Sequence, residues 1–254
     1  MLEKQLQLIR SNNRIASTEI ISQIITDFTE IHGDRVLGDD PAITTGIGFL
    51  SDIPVTILAV NRGKTMIEHQ RFNGGQVRVS GYRKALRVVE AAEKFNRPVI
   101  SLIDMPGADA SVDSENHGQS QAIADLIDKM GALTVPNLAL FVGEGHSGGA
   151  LALSNANRIL MLEAALFSVA SPEAVAAIIT TNDDVSEYLP MTSSQLEKIG
   201  INDETILEND RLIVNIKQAL LKHIQELKLI PRDSLPMDRS DKFNRILATW
   251  NTGE

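Results

Sequence analysis

The residues best placed to do chemistry are Gly143-Glu144-Gly145-His146-Ser147-Gly148-Gly149-Ala150, directly after the apolar run Leu138–Val142. Glycine lets backbone approach a ligand closely and takes positive φ without strain. A helix that begins near Ser147–Gly149 turns the free N–H groups of its first turn toward the loop. Donors of that kind hold a developing oxyanion, each worth about 3–4 kcal/mol in acyl chemistry. The competing reading is a tight strand–helix turn whose glycines only permit close packing.

The same residues match G-x-S-x-G at Gly145–Gly149, the pattern of a nucleophilic serine on a strand–helix turn. Such a serine needs an acid and then a histidine further along the chain. The only histidine after Ser147 is His223, at a core-facing position of an amphipathic helix. A second candidate is Asp104-Met105-Pro106-Gly107-Ala108, leading to His117-Gly118-Gln119-Ser120. Its Pro-Gly turn directs the chain across a strand end, and Asp104 is either a base or a turn residue. A third runs from Arg71 to Arg87, where Arg71, Arg78, Arg83, Lys84 and Arg87 stand near glycines. Those cations suit phosphates or a carboxylate, or else form a solvated helix face.

The elements that position these loops follow from periodicity. Ile20, Ile21, Ile24, Ile25, Phe28 and Ile31 fall at helical spacing and predict a helix over 17–31. Two β-prone runs, Ile43–Leu50 and Pro54–Val60, flank a Ser51-Asp52 turn. A helix over Tyr82–Phe95 leads to a buried strand at Val99–Ile103. A helix over Gly118–Met130 leads to a second buried strand at Leu138–Val142. Strands near Ile159–Leu162 and Phe167–Val169 follow. The C-terminal third is helical, with Leu212, Ile216, Leu220, Ile224 and Leu227 on one face. This alternation predicts an α/β fold, with each informative loop at a strand's C-terminal end, where open sheets bind ligands. One domain is expected: the N-terminal helix, a core over about 40–200, and C-terminal helices over about 205–250.

Composition narrows the function. The chain has 254 residues, 43% apolar and 22% charged, enough for a sizeable core. It has no cysteine, which excludes disulfides and thiolate zinc sites, and its five histidines show no metal spacing. No metal site is expected in this chain. A net charge of −9 argues against nucleic acid as a partner. No membrane span and no signal-peptide layout are apparent, so the expected location is the cytoplasm.

Taken in order, the motifs resemble one family. They are Gly-Tyr-Arg-Lys-Ala-Leu-Arg at 81–87, Ile-Asp-x-Pro-Gly-Ala at 103–108, Gly-Gln-Ser-x-Ala-Ile-Ala at 118–124 and Gly-Glu-Gly-x-Ser-Gly-Gly-Ala-Leu-Ala at 143–152. His-Gly-Asp-Arg at 32–35, Asp-Asp-Pro-Ala-Ile at 39–43 and Ser-Pro-Glu at 171–173 extend the match over roughly residues 10–235. The set is similar to the α subunits of the carboxyltransferase of bacterial acetyl-CoA carboxylase. The resemblance implies a crotonase-like (ClpP/crotonase) fold of stacked ββα units with helical terminal segments. It also implies transfer of a carboxyl group from carboxybiotin, on a biotin carboxyl carrier protein, to acetyl-CoA, giving malonyl-CoA for fatty acid synthesis. A biotin carboxylase would use ATP to load the biotin. A zinc-containing β subunit would complete the site in an α2β2 assembly. On the same ground, Gly148, Gly149 and Ala150 supply a backbone oxyanion hole. Gly107, Ala108, Gly118, Gly145, Ser147, Tyr82, Arg83 and Lys84 become the candidate substrate- and biotin-binding residues.

The departures from the family pattern cluster in loops: Gly74–Ser80, Met105, Asp109, His117 and His146. They leave open a non-catalytic paralogue that keeps the assembly. A hydrolase of acyl-CoA or other esters using Ser147 also stays open.

Overall fold

Strands that are apolar along their whole length need cover on both faces, and here they lie in the middle of one sheet. The structure, a computed structural model, describes residues 2–179 and 184–252. In chain order its elements are α1 (Leu2–Ile9), α2 (Ser17–Ile24), β1 (Ile25–Glu30), β2 (Ile43–Leu50), β3 (Ile53–Val60), α3 (Met66–Arg71) and α4 (Val79–Lys94). Then come β4 (Val99–Met105), α5 (Val112–Asn116), α6 (Gln119–Ala132), β5 (Asn137–His146), α7 (Ser147–Ser154), β6 (Arg158–Leu162) and β7 (Leu166–Ser168). The rest are α8 (Pro172–Ile179), α9 (Ser193–Lys198), β8 (Glu204–Ile206), α10 (Leu212–Leu227) and α11 (Leu235–Thr252).

The sheet runs β1-β2-β3-β4-β5-β6-β8, with β7 paired to the far end of β5. The β1-β2-β3 stretch is antiparallel, and the rest is parallel. Helices α4, α6 and α7 pack together on one face, while α2 and α10 pack on the other. Every residue of β4 and β5 is buried. Each fully buried aliphatic side chain there contributes about 1.5–3 kcal/mol. This is the expected α/β architecture with helices covering a largely buried sheet.

Two expectations need correction. The predicted helix over 17–31 stops at Ile24, and residues 25–30 form β1. Ile25, Thr26, Phe28 and Thr29 are β-branched or aromatic, and pairing with β2 outweighs their helical spacing. A bulge between Thr26 and Thr29, with Asp27 at φ 50°, carries the strand across Gly46 and Gly48. A Cβ on Gly46 would lie 2.5 Å from Phe28 Cζ, so glycine is what lets β1 close on β2. The second correction concerns β5, which does not stop at Val142. Gly143–His146 continue the strand, because Glu144, Gly145 and His146 pair with Leu166, Phe167 and Ser168 of β7. The Gly-rich segment is therefore strand first and turn only at Ser147.

Candidate functional site

The site is assembled at the C-terminal ends of β4 and β5. The chain leaves β4 through Pro106-Gly107-Ala108, with Gly107 at φ 142°. It leaves β5 through Ser147, whose φ is 63°, and enters α7 at once. These two exits touch. A Cβ on Gly149 would lie 3.0 Å from the Ala108 backbone N, 3.0 Å from Met105 Cε and 2.4 Å from Tyr82 Oη. Only glycine fits there, and its absence of side chain keeps the Ala108 N–H, the first turn of α7 and the Tyr82 hydroxyl close together.

The helix register decides which donors are free. With His146 as the cap, N–H groups up to Gly149 have no acceptor within the helix. Ala150 is the first whose N–H reaches back four residues, to the His146 carbonyl. Of the expected set Gly148, Gly149 and Ala150, the N–H groups of Gly148 and Gly149 are therefore those without a helical acceptor, and Ala108 is the neighbouring N–H-bearing residue. Beside Ser147 and Gly148 opens a cavity of about 460 Å³. Its walls are apolar, including Leu151, Phe167, Val169, Leu189 and Ile199, with Ser168 at its polar edge. Phe167 stacks on Phe141 of β5 with ring centroids 4.5 Å apart, which fixes that wall.

Behind the turn lies a charge cluster that sequence reasoning missed. Glu144 is fully buried. It accepts hydrogen bonds from Arg10 (Nε at 2.9 Å, Nη2 at 2.8 Å), from Arg62, and from His146 Nε2 at 3.0 Å. The other ring nitrogen of His146 lies 2.8 Å from Ser168 Oγ. Arg10 also binds Glu173, and Arg62 Nη1 lies 3.5 Å from Asp104 Oδ1. Burial pushes the Glu144 carboxyl up, but His146, Arg10 and Arg62 outweigh it and hold the group well below the usual range. For Asp104, burial wins over Arg62 and the Glu144 N–H, and its pKa is raised. The one hint in the sequence was a glutamate among glycines after a buried strand.

The predicted site residues divide. Ala108, Tyr82 and Gly149 converge, with Gly107 next to Ala108 in the chain, while Ser147 and Gly148 line the neighbouring cavity. Gly145 does not: inside β5, its Cβ would meet the Phe141 ring at 2.4 Å, so its smallness serves packing. Lys84 is fully buried and donates to Asp39 Oδ1 at 2.6 Å and the Asp40 carbonyl at 2.8 Å, so its ammonium is engaged within the chain. Arg83 donates to the His117 carbonyl at 2.7 Å, and Arg87 to the carbonyls of His32 and Gly33. Gly118 caps α6 in the left-handed region, beside Arg83. Much of the basic segment is thus spent on holding loops.

The loop departures have structural partners. Asp109 accepts from Ser111, Ser114 and Asn73. Burial opposes its ionisation, yet those bonds hold its carboxyl below the usual range. His117 Nδ1 lies 2.7 Å from the Asp113 carbonyl. Ser147 has the strained turn of a nucleophilic serine, but its neighbour His146 and the one histidine that follows it in the chain, His223, are engaged. His146 is held at both ring nitrogens, and His223 is held between Glu204 and Glu226. Among the described residues, no group of three or more His, Asp or Glu is arranged to hold a metal ion. No helix of the described residues is long and apolar enough to cross a membrane.

Comparison with known proteins gives concordant matches. A family described as acetyl co-enzyme A carboxylase carboxyltransferase-like matches residues 2–247. The acetyl-coenzyme A carboxylase carboxyl transferase subunit alpha of Ruminiclostridium cellulolyticum is 41% identical, covering 93% of this chain and 94% of that protein. A Clostridium tetani protein named for subunits beta/alpha is 40% identical over 95% of this chain and 44% of its own length. Among solved structures, transcarboxylase 12S superposes with a TM-score of 0.72 at 19% identity, covering 89% of this chain and 43% of that one. A Pseudomonas malonate decarboxylase hetero-tetramer gives 0.69 at 19% identity, covering 84% of this chain and 90% of that one.

Proposed function

The chain belongs to the acetyl co-enzyme A carboxylase carboxyltransferase-like family, and from that premise we propose that it works as an α-type carboxyltransferase subunit. With a β-type partner it would move a carboxyl group from carboxybiotin to acetyl-CoA, giving malonyl-CoA. The observation that carries this reading is the approach of Ala108 N to the first turn of α7 at Gly149. Backbone donors from two strand ends meet there, and fixed N–H groups stabilise an oxygen on which charge develops.

The reaction charges two oxygens: that of the thioester when its methyl carbon loses a proton, and the ureido oxygen of biotin. The ureido oxygen is the better fit to this chain. The apolar cavity beside Gly148 suits the hydrocarbon arm of biotin. The cations that would hold coenzyme A phosphates are largely engaged internally. Biotin, when bound, supplies the carboxyl group; this chain's residues hold its head in place, exclude water along the apolar wall and stabilise charge. Coenzyme A is then held chiefly by the partner, and closeness of the two substrates supplies much of the remaining rate. The proposed assembly is α2β2, with zinc in the β subunit, a biotin carboxylase that spends ATP, and a separate carrier protein, all in the cytoplasm.

The test is the reverse reaction. Malonyl-CoA and biocytin are incubated with the chain, alone and with its co-expressed β-type partner, and acetyl-CoA is measured. Formation only with both chains is the expected result. A stable complex without turnover would favour a non-catalytic paralogue. Release of free CoA by the chain alone, without biocytin, would sink the proposal and revive a hydrolase.

A further inference from the structure

Tyr82 carries a hydroxyl that packing does not explain. It stands on α4, fully buried, and its Oη has no hydrogen-bond partner in the protein. A phenylalanine ring would fill the same space without the unmet polar atom, and buried polar groups without partners are rare because they are costly. The hydroxyl is not lost in the core. It lies 2.4 Å from the point where a Gly149 Cβ would stand, and Ala108 N lies 3.0 Å from that same point. Because residue 149 is glycine, no side chain separates the hydroxyl from the turn that carries the free N–H groups. Burial, and then the charge of Asp40, push the phenol pKa up, so the group stays an O–H donor.

Building on the carboxyltransferase reading, we propose that the Tyr82 hydroxyl is a third donor to the oxygen on which negative charge collects at this site, beside the N–H groups of Ala108 and the first turn of α7. It gives up no proton. It makes a hydrogen bond that strengthens as charge develops, which is where binding energy accelerates a reaction. A buried donor kept at the expense of stability fits a functional group rather than a structural one.

The test is Tyr82→Phe in the complex with the β-type partner. Turnover in the malonyl-CoA and biocytin assay should fall by about 100-fold, with KM little changed and the melting temperature unchanged or higher. An independent readout needs no turnover. The chain has two tyrosines, so 3-fluorotyrosine in this chain alone gives two resonances, and Tyr82→Phe assigns them. Saturating biocytin, or malonyl-CoA in a separate titration, should move the Tyr82 resonance. Turnover at the wild-type level in Tyr82→Phe, or activity and stability lost together, would overturn the proposal. So would a resonance that neither probe moves in an active complex. An inactive wild-type complex whose Tyr82 resonance still responds would keep the hydroxyl as a ligand donor while removing the carboxyltransferase reading. Inactivity with an unmoved resonance removes both.

Discussion

Ser147 holds a φ of 63° without being glycine. A left-handed residue with a Cβ costs roughly 1–2 kcal/mol, and it persists because β5 and α7 fix both of its neighbours. The strain has a use: it turns the chain sharply enough that Gly148 and Gly149 present their N–H groups at the strand end. In the proposed reaction the side chain itself has no such task, and both its neighbour His146 and the later His223 are engaged by other partners. Ser147→Gly should therefore keep carboxyl transfer within a few-fold and leave stability unchanged or raised by up to about 1 kcal/mol, glycine's flexibility offsetting part of the relieved strain. Steady-state assays and urea denaturation check both. Loss of nearly all activity would place the chemistry on the serine Oγ instead of the backbone.

The junction of α2 and β1 shows where local signals give way to pairing. Hydrophobic residues from Ile20 to Ile31 follow a helical period, yet the chain switches to strand at Ile25 because β2 offers a partner and two glycines to lie against. Gly46→Ala would put a Cβ 2.5 Å from both Phe28 Cζ and the Thr29 carbonyl. The carbonyl belongs to paired backbone and cannot swing away. The expected cost is about 1–3 kcal/mol, with faster hydrogen exchange confined to residues 25–30. A uniform increase across the sheet would mean that β1 is not a separate unit. The same contrast explains what the sequence made legible. From α4 to β6 the apolar runs are long and periodic, and α4, β4, α6 and β6 fall within a few residues of where the pattern places them. The extension of β5 through Gly143–His146 depends on β7, and its partner residues lie 22 positions away, as with His146 and Ser168. Lys84 reads as part of a basic face because nothing nearby in sequence reveals Asp39 and Asp40 waiting behind it. The glycines of the site were legible as types; that Ala108, Tyr82 and Gly149 meet at one point is a property of the packed layers.

At the scale of the molecule, Glu144 joins parts of the chain that are far apart in sequence. Arg10 follows α1, Arg62 follows β3, Asp104 is in β4, His146 ends β5 and Glu173 begins α8, and all meet within one cluster around it. The N-terminal helix is thereby clamped over the sheet ends that carry the site. Removing one member of a buried ion pair leaves its partners uncompensated, which costs about 3–5 kcal/mol. Glu144→Gln should lose roughly 3 kcal/mol at neutral pH, near the lower end, because Asp104 remains to take up part of the charge of Arg62. The pH dependence separates charge from shape. The Glu144 carboxyl is held below its ordinary value in the folded protein, with burial opposing and His146, Arg10 and Arg62 prevailing. Such a group binds fewer protons folded than unfolded, so its contribution is complete above the ordinary glutamate value of about 4.3 and is lost as pH falls through the depressed one. Urea denaturation of wild type and Glu144→Gln should thus show the full difference near neutrality and a narrowing difference below about pH 4. A difference that stays constant with pH would mean that Glu144 acts through the fit of its side chain, and that the clamp on α1 is steric rather than ionic.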